Sequence, residues 1–154
     1  MTQPQRKAER LSIAWRAAQD LTDGMYVNLG IGIPSEVARF VPEQLAITFH
    51  SENGILGVGH LADPYKVNPN LVNASQQHVT LQAGGCFFDC SDSFAMLRGG
   101  HIDVALLGAF EVAENGDLAN WDRGDLSKPP AVGGAMDIVS GVPNIWVLME
   151  HRTG

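Results

Sequence analysis

Cysteine is scarce, with Cys86 and Cys90 the two in 154 residues. That is too few for a disulfide framework, and the pair is expected as buried free thiols. Basic side chains are also in short supply: 10 Lys and Arg stand against 17 Asp and Glu, for a net charge of −7. This balance argues against nucleic acid as a main partner. It also means that an anionic ligand would have to be met by local backbone N–H groups or by positive groups from another chain. No apolar run approaches the ~18 residues of a membrane-spanning helix. The opening Met1-Thr2-Gln3-Pro4-Gln5-Arg6-Lys7 lacks the apolar core of a secretory signal, so a cytoplasmic location is expected. Internal repeats, low-complexity tracts and linkers are missing too. What is there is a globular composition, 45% hydrophobic and 18% charged, at a length suited to one domain with its own core.

Leu11, Ala14, Trp15, Ala18 and Leu21 follow helical spacing and predict a helix from Arg10 to Leu21, stopped at Asp23-Gly24. Short strands are expected at Met25–Leu29, Ala46–Phe49, Val79–Gln82, Ile102–Leu107 and Asn144–Met149. Between them, Ser35 is a candidate cap for a helix over Glu36–Phe40, and Ser91 or Asp92 for one over Phe94–Leu97 closed by Gly99-Gly100. Leu61–Ala74 reads as a long surface loop. Phe110–Trp121 reads as a hairpin turning at Asn115-Gly116, and Gly133-Gly134 opens a short helix over Ala135–Val139. Strands alternating with helices imply an α/β fold, a largely parallel open sheet flanked by helices.

Four constellations could carry chemistry. Glu52, in Ser51-Glu52-Asn53-Gly54, follows the run Leu45-Ala46-Ile47-Thr48-Phe49 and falls just past the carboxyl end of a strand. Ligands of open α/β sheets bind at that rim. A carboxylate there can act as a covalent nucleophile if it is fixed, shielded from water and served by oxyanion donors. On spacing alone, a solvent-exposed turn glutamate accounts for it better. The loop Asn28-Leu29-Gly30-Ile31-Gly32-Ile33-Pro34 lies between a strand and a helix, but the third glycine of G-x-G-x-x-G is replaced by Ser35. A tight connection explains Gly30 and Gly32 as well as an anion or thioester site does. Gly133 and Gly134 offer backbone N–H groups to an acyl oxygen or phosphate, though close packing at a helix entry also explains them. His50-Ser51-Glu52 matches the H-x-E element of zinc deaminases, but Cys86 and Cys90 stand as C-x₃-C without the preceding proline. His60, His78, His101 and His151 are scattered and receive no role.

The block Phe49-His50-Ser51-Glu52-Asn53-Gly54-Ile55-Leu56-Gly57 closely resembles the signature of the B (beta) subunit of class I 3-oxoacid coenzyme A transferases. Three further blocks resemble that family in its order. They are Val27–Pro34, Arg98-Gly99-Gly100-His101-Ile102-Asp103, and Gly116–Trp121 with Gly133-Gly134-Ala135-Met136-Asp137. The resemblance reverses the preference at Glu52. It implies a coenzyme A transferase-like fold in which Glu52 attacks an acyl-CoA and passes through a glutamyl-CoA thioester. It implies that Asn28 holds the nucleophile or an oxyanion, and that Gly133 and Gly134, with Gly30 and Gly32, approach coenzyme A. Coenzyme A is then a substrate, and no cofactor or metal is required. The donor implied is succinyl-CoA. The acceptor is 3-oxoadipate or acetoacetate, with Pro130-Ala131-Val132-Gly133-Gly134 favouring the former. The family often has glycine at the place of Ala131. An A (alpha) subunit is implied as partner, and residues 1–154 would be a single B-type domain lacking the family's C-terminal part. Two rivals are a non-catalytic subunit that binds coenzyme A or a nucleotide, and a zinc-dependent hydrolase or deaminase. A thioesterase, with water as acceptor, is a third.

Overall fold

The computed structural model describes residues 2–122, 124, 127, 129–131 and 133–151. Its centre is a six-stranded sheet in the order β4-β3-β2-β1-β5-β8. The strands are β1 (Tyr26–Leu29), β2 (Thr48–Ser51), β3 (Ile55–Leu61), β4 (Val79–Phe87), β5 (Val104–Leu107) and β8 (Ile145–Val147). β2, β1, β5 and β8 run parallel, whereas β3 and β4 add on antiparallel beyond β2. The predicted α/β fold with a largely parallel sheet is the one observed. A separate two-stranded hairpin, β6 (Glu111–Val112) with β7 (Leu118–Ala119), follows β5. Its turn uses Asn115 and Gly116, the latter at φ +89°, as the sequence predicts.

The inner parallel strands β2, β1 and β5 are largely buried, which is why they read as near-continuous apolar runs, while the edge strand β8 is half-buried. One face presents Val27, Leu29, Phe49, Val104 and Leu106 to α1 (Gln3–Ala18) and a 3₁₀ helix (Pro34–Phe40). The other presents Ala105 and Leu107 to α2 (Cys90–Arg98) and α3 (Ala135–Gly141), where Leu97, Ile102, Ile138 and Val142 complete a second core. Among the described residues no helix is long and apolar enough to cross a membrane.

Several expectations shift. α1 starts at Gln3, well before Arg10, because its polar first turn is organised by Pro4 and by the Thr2 N–H donating to Gln5 Oε1 (2.9 Å) instead of by apolar spacing. The second helix is capped by Asp89, which accepts from the Asp92 N–H, and not by Ser91 or Asp92. Ser35 caps nothing; its hydroxyl donates back to the Gly32 carbonyl (2.8 Å). The strand β3 is absent from the expected set, since Gly57 and Gly59 interrupt its apolar pattern. Those glycines let β4 approach closely: a Cβ on Gly57 would stand 2.8 Å from the Gly85 Cα. The expected surface loop after Leu61 is tied down, with Leu71 and Asn73 buried. Cys86 and Cys90 are exposed, not buried, one on the edge strand β4 and the other in the first turn of α2.

Candidate active site

The chain leaves β1 towards β2 on one side and returns through α2 to β5 on the other. The connections therefore diverge at the carboxyl end of β1, the position where open α/β sheets form a crevice. A cleft of about 1030 Å³ opens there. It is walled by residues just past all four parallel strands: Gly30 to Ile33 after β1, Glu52 after β2, Gly108 to Phe110 after β5, and Leu148 to Glu150 after β8. The β6–β7 hairpin, the start of α3 and Arg10 of α1 close its sides.

Five of the six predicted site residues line this one cleft: Glu52, Gly30, Gly32, Gly133 and Gly134. Asn28 does not; it is fully buried in β1, beneath the rim. The glycines differ in what they do. Gly30 lies where a Cβ would stand 2.6 Å from the Leu106 carbonyl oxygen, so its absence of side chain lets β1 and β5 meet. Gly32 has φ +90° and donates its N–H to Ser75 Oγ (3.1 Å). Gly133 has φ +57°, and a Cβ on Gly134 would strike the Phe94 ring. Gly134 thus satisfies the packing explanation as well as facing the cleft. Val132 of this cluster lies outside the described residues.

Glu52 sits in a three-residue turn between β2 and β3. Ser51 pairs with Ile55 across the turn, and the Gly54 N–H closes it on the Ser51 carbonyl (3.0 Å). Gly54 has φ +109°, and a Cβ there would collide with the Phe88 carbonyl oxygen. The loop after β3 locks the turn from outside. The Ala74 N–H donates to Ser51 Oγ (3.1 Å), and Asn53 Nδ2 donates to the Val72 carbonyl (2.8 Å). The position of the carboxylate is therefore set by backbone on both sides. Burial raises the Glu52 carboxyl above its ordinary pKa, offset in part by its own backbone N–H. Glu52 Oε2 is buried without a hydrogen-bond partner. A carboxylate oxygen left unpaired is a poor stabiliser and a good nucleophile.

Sequence reasoning missed the network under this turn. Asn28 and His50 are register partners on β1 and β2, and Asn28 Nδ2 donates to His50 Nδ1 (2.9 Å). That bond makes Nδ1 the acceptor, so the proton resides on Nε2 and is donated to Ser93 Oγ of α2 (3.1 Å). Asn28, His50 and Ser93 are all fully buried, and Phe88 stacks on the imidazole at 5.9 Å. Burial lowers the His50 pKa to about 4. The available signal is a polar residue at the same level of two neighbouring buried strands, Tyr-Val-Asn-Leu and Thr-Phe-His-Ser. The zinc arrangement does not assemble. Both His50 nitrogens are engaged, neither cysteine lines the cleft, and among the described residues no three His, Cys, Asp or Glu side chains are grouped to hold a metal ion.

A family model described as coenzyme A transferase matches residues 10–154. The chain belongs to the coenzyme A transferase family. It is 48% identical over 147 residues to the B subunit of the 3-oxoadipate CoA-transferase of Acinetobacter baylyi, covering 96% of this chain and 68% of that one. It is 50% identical over 143 residues to the B subunit of the succinyl-CoA:3-ketoacid coenzyme A transferase of Helicobacter pylori, covering 92% and 68%. These relatives of the transferase chain are thus B subunits, and it spans about two thirds of their length. Among solved structures, the acyl-CoA transferase YdiF of E. coli O157:H7, described as a thioester complex with CoA, shares the fold. Its TM-score is 0.64 at 22% identity, over 90% of this chain and 23% of that one. The decarboxylase AibA/AibB also shares the fold, with a TM-score of 0.60 at 21% identity, over 90% and 57%.

Proposed function

We infer that this chain is the catalytic half of a 3-oxoacid-type transferase and that Glu52 is its nucleophile. The observation that carries this reading is the Glu52 carboxylate itself, fixed in a hairpin turn at the rim of the parallel sheet, with a buried, unpartnered oxygen in the shared cleft. Its ionised form attacks the acyl-CoA carbonyl; the C–S bond breaks and the coenzyme A thiolate leaves a mixed acyl-glutamyl anhydride. The thiolate then attacks the glutamyl carbonyl, releasing the first acid as its carboxylate and leaving a glutamyl-CoA thioester. A second acid runs the same steps in reverse. Thioester energy is retained covalently, no electrons are exchanged, and coenzyme A serves as substrate with no cofactor in the cycle. The donor is succinyl-CoA and the acceptor 3-oxoadipate or acetoacetate, in keeping with the names of the two bacterial relatives.

The backbone N–H groups at Gly133-Gly134 suit the thioester oxygen, whereas the Gly32 N–H is already engaged by Ser75 Oγ. Asn28, through His50, braces β2 just before the nucleophile. Residues 1–154 work as a B-type domain in the cytoplasm, paired with an A subunit. Ile31 and Phe110, 64% and 38% exposed at the mouth of the cleft, offer that subunit an apolar landing. The test is peptide mass spectrometry after mixing the chain, its A subunit and succinyl-CoA. A coenzyme A adduct is expected on the Glu52 peptide and absent from Glu52→Gln, with turnover lowered on the order of 10³-fold or more. Association of the subunits without any adduct would leave a binding subunit, not a catalyst.

A further inference from the structure

Arg10 lines the cleft with Glu52, yet the chemistry above makes no use of it. It belongs to α1, whose buried stripe is Ala14 and Ala18, and it stands one turn beyond Ala14 on that stripe. From Ala18 to Arg10 the helix rises about 12 Å, and a four-residue strand such as β1 spans about 13 Å. A helix that ends just before β1 and packs back along it brings Arg10 to the rim where β1 ends. The guanidinium is there: a Cβ on Gly32 would stand 3.4 Å from one of its nitrogens.

Two observations leave this guanidinium available to a ligand. The ion pairs of the described residues use Arg16, Arg39 and Arg98, and leave Arg10 without a partner among them. Arg10 is also the one cation among the described residues of a cleft that presents Glu52, Glu111, Asp122 and Glu150. A single arginine in acidic surroundings admits an anionic group at one place and rejects it elsewhere. Resting on the transferase reading, we propose that Arg10 determines specificity for acyl groups that carry a second, distal carboxylate. The planar guanidinium takes that carboxylate in a charge-assisted, fork-shaped contact while the near carbonyl meets Glu52. Arg10 rests on the loop after β1, and Glu52 follows the adjacent strand β2. Adjacent strands lie about 4.8 Å apart, a spacing on the scale of a short dicarboxylate. The phosphates of coenzyme A lie at the far end of the pantetheine arm and are left to other groups.

The test compares succinyl-CoA with butyryl-CoA, which carries a methyl in place of the distal carboxylate. It uses the complex of this chain with its A subunit, as wild type, Arg10→Gln and Arg10→Lys. Loss of a charge-assisted bond corresponds to roughly a ten- to hundredfold change. The ratio of kcat/KM for the two substrates is expected to fall by that factor in Arg10→Gln and to be partly restored in Arg10→Lys. An unchanged ratio, or an equal fall for both substrates, overturns the proposal. Calorimetric binding of succinate and butyrate to the same proteins gives the corresponding ratio without turnover. If the wild type shows no adduct on Glu52, the transferase reading fails by itself. The succinate-to-butyrate binding ratio then decides Arg10: a tenfold fall in Arg10→Gln upholds its role, and no change ends it.

Discussion

Glu52 and His50 stand two residues apart, and burial drives the protonation of each towards its neutral form. For Glu52 this means that the ionised carboxylate is held against the preference of its surroundings, at some expense to the fold. His50 works with the opposite sign. Its folded pKa of about 4 lies below the ordinary 6.5, so the unfolded chain takes up the proton first as pH falls. The stability supplied by the neutral imidazole is complete above about pH 6.5 and is lost progressively towards pH 4. The separation corresponds to roughly 3 kcal/mol. Urea unfolding of the wild type and of His50→Asn across this range should show that loss in the wild type alone. The variant should start less stable at pH 7, with Asn28 and Ser93 each missing a partner. Parallel pH profiles would mean that the imidazole is not sequestered.

At the scale of the element, the β2–β3 and β6–β7 hairpins differ in how much a side chain at the turn would cost. Gly54 and Gly116 both have positive φ, but a Cβ on Gly54 meets the Phe88 carbonyl oxygen, whereas one on Gly116 meets nothing within 4 Å. Gly116→Ala should therefore cost about 1–2 kcal/mol from backbone strain alone. Gly54→Ala should cost more than that, and a displacement of Glu52 by about 1 Å should slow adduct formation on the order of 10²-fold. Thermal melts and labelling rates on both variants check the pair; equal effects would show that Phe88 yields freely. The first of these hairpins also marks what can be read from residues alone. Continuous runs such as Val104–Leu107 and turns such as Asn115-Gly116 announce themselves, because burial and positive φ each select residue types locally. β3 does not, since its glycines answer to β4 across the sheet. The His50 network and Arg10 are hidden for a related reason. Each is made by register or by helix packing between segments distant in sequence, and neither residue type is unusual where it stands. Glu52 is legible only through its extended block, as a lone turn glutamate has no distinguishing spacing.

The whole molecule carries a net charge of −7, and its cleft is acidic apart from Arg10 among the described residues. On the proposed function, attraction of a polyanionic thioester falls to the A subunit, together with cover for the exposed cleft mouth. The chain alone should label on Glu52 at least about a hundredfold more slowly with succinyl-CoA than the two-subunit complex does, a factor equivalent to roughly 3 kcal/mol of transition-state stabilisation. Labelling kinetics with and without the A subunit measure this, and equal rates would make the chain self-sufficient. Glu52, the proposed nucleophile, is carried by a hairpin stitched on one side to β4 and on the other to the loop around Ala74. Arg10, proposed to select the acid, comes from the first helix, and another part of the wall from the β6–β7 hairpin. Reactivity and selectivity thus occupy separate stretches of chain. A lineage could exchange one acid for another by altering α1 or that hairpin while inheriting the reactive turn intact, and a designer seeking a new acceptor could begin at the same two places.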